Sequence, residues 1–134
     1  MTTQIYIVED HSLMRQVMGE AIEKMAGISV CGMAASAEEA LEDLRDLPAD
    51  VALIDMSLPQ MSGIDLVRQL RRSRPALRCL IFSGHNEPGY VRHVLAAGAQ
   101  GYLLKGNPAE IRQAITTVMA GKQFISAALQ DPDP

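Results

Sequence analysis

No apolar run in the 134-residue chain approaches the roughly 18 residues that a membrane span requires. The N-terminus passes from Thr2-Thr3 straight into a short strand-like run, with no basic segment or signal-peptide core. A cytoplasmic chain without membrane contact is expected. Positive charge is scarce as well: 12 Lys and Arg against 16 Asp and Glu leave a formal charge of −4, so no global field attracts nucleic acid. One local basic cluster, Arg68, Arg71, Arg72 and Arg74, falls late in a predicted helix, where cations complement the dipole; it reads as a solvated face. Cysteine is limited to Cys31 and Cys79, each inside an apolar strand-like run, which suits small core residues better than a disulfide or metal pair. No glycine-rich dinucleotide or P-loop pattern follows the first strand, which disfavours nucleotide binding. Internal repeats are lacking too, and the length suits a single domain.

What is present is organised around residues 50–63, D-V-A-L-I-D-M-S-L-P-Q-M-S-G. The unbroken run Val51, Ala52, Leu53, Ile54 suits a strand covered on both faces. Asp55 stands where that run stops, Pro59 forces a turn, and Ser62-Gly63 opens the next helical pattern. Chemistry in an open parallel sheet gathers at the carboxyl ends of strands. On this stretch alone, Asp55 reads equally as a reactive group or as a loop cap.

The same alternation recurs along the chain. Residues 4–8 form a strand that ends at Glu9-Asp10. Ser12 is expected to cap a helix to about Ala26, with Met14, Val17, Met18, Ala21, Ile22 and Met25 as its core stripe and Gly27 as its stop. Residues 28–34 form a second strand, and Ser36-Ala-Glu-Glu39 is a capping box for a helix that halts before Pro48. After the central strand, a helix through Ile64, Val67 and Leu70 ends before Pro75. Residues 78–82 form the fourth strand, ending at Ser83-Gly84; Pro88 then suits the first turn of a helix closed by Gly98. Residues 100–104 form the fifth strand, ending at Lys105. Asn107-Pro108-Ala109-Glu110 sets a cap, a first-turn proline and an N3 carboxylate in order, and the last helix buries Ile111, Ile115, Val118 and Met119 up to Gly121.

Five strand–helix repeats with short connections predict an α/β fold with a five-stranded parallel sheet and helices on both faces. In the flavodoxin-like order 2-1-3-4-5, the first and third strands meet at the topological switch point, which makes Asp10 and Asp55 neighbours. Residues 1–123 form the expected domain; residues 124–134, ending in Asp131-Pro-Asp-Pro134, are expected to be a C-terminal extension or linker stub.

Four of the five strands thus end in groups able to do chemistry: Glu9 and Asp10, Asp55, Ser83, and Lys105. With Pro59, Gly63 and Tyr102, these residues make the chain strongly resemble the receiver domain of two-component response regulators, from Ile5 to about Phe124. The phrases V-E-D-H-S-L-M-R and G-Y-L-L-K-G further resemble the NarL/FixJ-like branch, whose longer members carry a C-terminal helix-turn-helix domain that binds DNA. This chain is expected to end before such a domain begins.

The resemblance implies that Asp55 is the phosphoacceptor. Asp10, Asp55 and the Ser57 backbone carbonyl would hold Mg2+, with Glu9 acting through water. Lys105 and Ser83 would bind the phosphoryl group. Ser83 and Tyr102 would form the switch, Tyr102 turning inward when Ser83 is drawn to the phosphate. Ser57 and His85, each two residues beyond a key group, would tune the lifetime of the acyl phosphate. The implied donor is a sensor histidine kinase or a phosphotransfer protein, and a phosphorylation-dependent homodimer is a further arrangement the family uses. Elementary electrostatics agrees with a cation, since two like charges about 4 Å apart repel by about 4 kcal/mol at an effective dielectric near 20. Two departures stand out: Ser83 replaces the commoner threonine, and Gly106 follows Lys105 where many receivers have proline.

Three function classes follow: a phosphorylation-controlled switch, a constitutive receiver-fold interaction module or stand-alone regulator, and a phosphohydrolase. A constitutive module would be marked by loss of the acceptor or the lysine, and both are present. The third usually carries another aspartate two residues past the nucleophile, where this chain has Ser57. His11, His85 and His93 lack ligand spacing and read as surface or loop residues.

Overall fold

In the computed structural model, which describes residues 2–105 and 109–129, the elements follow one another as anticipated. They are β1 (Thr3–Val8), α1 (Ser12–Glu23), β2 (Ile28–Ala34), α2 (Ala37–Asp43), β3 (Val51–Asp55) and α3 (Gly63–Ser73). After these come β4 (Arg78–Ser83), α4 (Pro88–Ala96), β5 (Gly101–Leu104), α5 (Ala109–Met119) and a short β6 (Phe124–Ile125), then a 3-10 turn at Ala127–Leu129. All strand pairs are parallel, in the order β2-β1-β3-β4-β5-β6. The expected order therefore holds, with a sixth strand added at the edge. Two residues are too few for a readable alternation, so β6 left no pattern in the sequence. The cap at Asn107-Pro108 and the tail at 131–134 lie outside the described residues.

Alternate residues of the central strands feed two cores. Tyr6, Val8, Ala52 and Ile54 face one layer with Leu66, Val67, Leu70 and Val94. Ile5, Ile7, Val51 and Leu53 face the other with Ile22, Ile111, Ile115 and Val118. A strand that must be apolar on both faces explains the unbroken run before Asp55. Cys79 is fully buried, Cys31 is half-buried with its Sγ 3.4 Å from the Ile5 carbonyl, and both thiols are free. No helix among the described residues is long and apolar enough to cross a membrane.

Local signals were mostly sound. Ser36 accepts from the Glu39 amide at 3.1 Å, and Glu39 accepts from the Ala35 amide at 2.7 Å, one residue before the position a standard capping box uses. Ser62 caps α3 by accepting from Asp65 at 3.2 Å. At α1 two expectations fail. The N-cap is His11, without a side-chain hydrogen bond, and Met14 and Val17 are exposed while Met18 and Ile22 are buried. The apolar stripe of α1 is wider than the face the sheet covers, so Leu13, Met14 and Val17 remain in solvent. The arginine cluster is partly structural: Arg68 pairs with Asp65 at 3.0 Å, Arg71 donates to the Pro75 carbonyl at 2.8 Å, and Arg74 donates to the Leu44 carbonyl, tying α3 to α2.

Candidate functional site

Parallel pairing of β1 with β3 and of β3 with β4 brings three strand ends to one edge of the sheet. Glu9 and Asp10 follow β1, Asp55 ends β3, Ser83 ends β4 and Lys105 follows β5. The topology alone thus gathers every residue singled out at strand ends. Asp55 is 3% exposed, and one of its oxygens accepts from the Ser57 amide at 3.1 Å. The Lys105 ammonium lies 3.4 Å from Asp55 Oδ1 and 3.6 Å from Glu9 Oε1, with the Phe82 ring 5.1 Å beneath it. The Lys105 amide donates to the Ser83 carbonyl at 2.7 Å, which fixes the root of that side chain against β4.

The acids are arranged to receive positive charge. Glu9, Asp10 and Asp55 each offer an oxygen within 4.8 Å of the others. Glu9 is 1% exposed; its Oε2 accepts from the His11 amide at 3.0 Å, whereas Oε1 is buried with no hydrogen-bond partner among the described residues. Burial pushes the Glu9 carboxyl up to about 7; the His11 N–H opposes this, the Asp55 charge adds to it, and Lys105 offsets part. A buried acceptor facing two further carboxylates suits a hard cation, which prefers oxygen ligands and keeps water. The donor set therefore fits Mg2+.

The loop after β3 is tightly closed around Asp55. The Met56 amide bonds the Phe82 carbonyl at 3.1 Å and the Gly63 amide bonds the Met56 carbonyl at 3.1 Å. A Cβ on Gly63 would meet the Asp55 carbonyl oxygen at 2.3 Å, so the start of α3 can approach Asp55 this closely only as glycine. Gln60, after Pro59, adopts a φ of 64°, the left-handed conformation this turn requires.

On the far side, Ser83 is 1% exposed and its Oγ accepts from the His85 amide at 3.0 Å. Tyr102 is fully buried, and its hydroxyl donates to the His85 carbonyl at 2.7 Å. Burial raises its phenol pKa, partly countered by the Ser83 hydroxyl nearby. In this conformation the Tyr102 ring lies inward, in the core beside Ile81 and Val94. His85 stacks on Tyr90 with ring centroids 4.4 Å apart, and its Nδ1 lies 3.9 Å from a Glu87 oxygen. One neighbour escaped the sequence reading: Arg15 donates to the Glu9 carbonyl at 2.7 Å and braces the acidic turn. Its signal was its place at the end of V-E-D-H-S-L-M-R.

This geometry has known counterparts. Residues 5–116 match the family described as the response regulator receiver domain. The chain belongs to that family. The receiver is 36% identical over 124 residues to the response regulator GacA of Pseudomonas viridiflava, covering 92% of this chain and 58% of the relative. It is 35% identical over 124 residues to the response regulator UvrY of Escherichia coli K12, covering 92% and 57%. The receiver thus spans less than two thirds of the curated relatives it matches. A two-component response regulator of the LuxR family from Aurantimonas superposes with a TM-score of 0.92 at 35% identity, over 96% of this chain and 93% of that one. The isolated receiver of RcsB from Salmonella enterica serovar Typhimurium shares the fold, with a TM-score of 0.88 at 24% identity and 96% coverage of both chains.

Proposed function

We propose that this receiver is a phosphorylation-controlled switch that takes a phosphoryl group onto Asp55 from a histidine kinase or phosphotransfer protein. The reading is carried by one observation: a buried aspartate with a lysine ammonium 3.4 Å away and two further carboxylates clustered beside it. An Asp55 oxygen attacks phosphorus in line as the bond to the donor's histidine nitrogen breaks, giving an acyl phosphate that water later removes. Lys105 neutralises an equatorial phosphoryl oxygen, and Ser83, whose Oγ accepts from the His85 amide, donates its O–H to the same group. Asp10, Asp55 and the Ser57 carbonyl would hold Mg2+, with Glu9 acting through water; when bound, the ion supplies charge neutralisation at the transferring group. Ser57 and His85 flank the path of attacking water and set how long the acyl phosphate lasts. The receiver acts as a switch and not as a turnover enzyme.

The surroundings suit this role. The exposed Leu13, Met14 and Val17 of α1 offer a kinase an apolar surface, and Met14 and Val17 line a cavity that also reaches Lys105. The relatives' greater length and the LuxR-family neighbour support a NarL/FixJ-like placement; a cytoplasmic location, DNA contact through a C-terminal domain and a homodimer favoured by phosphorylation belong to the same proposal. Incubation with a small acyl phosphate and Mg2+ should label the wild type and leave Asp55→Asn unlabelled. Undiminished labelling of the Asn variant would move the acceptor elsewhere. The buried position of Tyr102 favours a second reading, an interaction module of fixed shape. Amide exchange over residues 87–120 that stays the same with and without a phosphoryl mimic would select it.

A further inference from the structure

The last described segment, residues 124–129, does more than cover the edge of the sheet. Phe124 and Ile125 pair with Gly101 and Tyr102, and a Cβ on Gly101 would meet the Phe124 carbonyl oxygen at 2.9 Å, so the segment seats closely on β5. The Ser126 amide donates to the Tyr102 carbonyl at 3.0 Å, and there the chain turns away into the 3-10 turn, closed by the Leu129 amide on the Ser126 carbonyl at 2.9 Å. The next outward-facing amide of β5, that of Leu104, takes its hydrogen bond from a side chain: it donates to Ser126 Oγ at 2.8 Å.

That hydroxyl is itself oriented. Ser126 is fully buried, and its Oγ donates to Glu110 Oε1 at 2.6 Å, a short charge-assisted bond. The other Glu110 oxygen accepts from the Ala127 amide at 3.0 Å. With its proton committed to Glu110, Ser126 Oγ can only accept from Leu104. Glu110 sits in the first turn of α5, where the helix dipole favours a carboxylate. The end of β5 is therefore gripped on both sides: Leu104 by Ser126 outside, and Lys105 by the Ser83 carbonyl inside at 2.7 Å.

We infer that Glu110 and Ser126 are positioning residues for Lys105, locking the end of β5 so that the ammonium stays between Asp55 and Glu9. The inference rests on the proposed role of Lys105 at the phosphoryl group. Loss of the Ser126 hydroxyl leaves the Leu104 amide without its acceptor and frees the Lys105 root on one side. A displacement near 1 Å at such a group costs about ten- to a hundredfold in rate. The segment through which the chain continues past residue 129 thereby acts on the phosphorylation site.

The test uses the 134-residue chain with Ser126→Ala, Ser126→Thr and Glu110→Gln. NMR of the Lys105 side chain reads its position without any phosphoryl transfer. The expected result is that the Lys105 methylene signals of wild type move toward those of a free lysine in Ser126→Ala, move part-way in Glu110→Gln, and return in Ser126→Thr. Labelling by a small acyl phosphate should slow about tenfold or more in Ser126→Ala and recover in Ser126→Thr. Lys105 signals that stay at their wild-type positions in both Ser126→Ala and Glu110→Gln overturn the inference. If Ser126→Ala does not fold, Glu110→Gln alone decides it. Failure of the wild type to accept label would count against the proposed function, while the Lys105 signals still decide the positioning role.

Discussion

Replacing Glu9 by Gln should make this receiver more stable, in spite of Glu9 being one of the most buried polar residues in it. The Glu9 carboxyl is raised from an ordinary 4.5 to about 7 by burial beside Asp55, and its Oε1 has no hydrogen-bond partner among the described residues. An acid whose folded pKa lies above its unfolded one weakens the fold as pH rises from the lower value to the higher. Its effect is absent below about 4.5 and complete above about 7. A rise of that size corresponds to about 3 kcal/mol at pH 8 and under about 1 kcal/mol at pH 5. Glutamine keeps an oxygen for the His11 amide and carries no charge, so the variant should gain most of that difference at pH 8, roughly 10 °C in Tm. Urea unfolding followed by circular dichroism, in chelator at both pH values, measures it. A variant no more stable than wild type at pH 8, or a difference that does not shrink at pH 5, would refute the reasoning.

The same protonation governs the metal. With Glu9 acting at the ion in its charged form, as proposed, Mg2+ affinity should weaken by up to about tenfold between pH 8 and pH 6, and NMR titration at the two pH values checks it. Gly63→Ala places a methyl 2.3 Å from the Asp55 carbonyl oxygen; a loss of about 3 kcal/mol is expected in denaturant unfolding, with slower labelling. Tyr102→Phe removes the 2.7 Å bond to the His85 carbonyl and should cost about 1 kcal/mol, with faster amide exchange in the β4–α4 loop.

The sheet order was readable because five apolar runs, separated by capped helices, admit few parallel arrangements. The convergence of Glu9, Asp55, Ser83 and Lys105 then followed from their places at strand ends. What stayed hidden depended on packing between distant segments. Met14 and Val17 fit the helical stripe of α1 as well as Met18 does, and only the footprint of the sheet decides which are covered. Glu110 reads locally as part of a helix start, yet it binds Ser126 and Ala127, 16 and 17 residues on. Tyr102 alternates correctly for a strand, but nothing local says that its hydroxyl meets a carbonyl in the loop after β4.

The proposed phosphoacceptor is the carboxylate at the end of β3. Borohydride trapping converts an acyl phosphate to homoserine, which peptide mapping can assign to a single position. After treatment with an acyl phosphate and Mg2+, conversion is expected at residue 55. Conversion at another acidic residue, with Asp55 untouched, would contradict it.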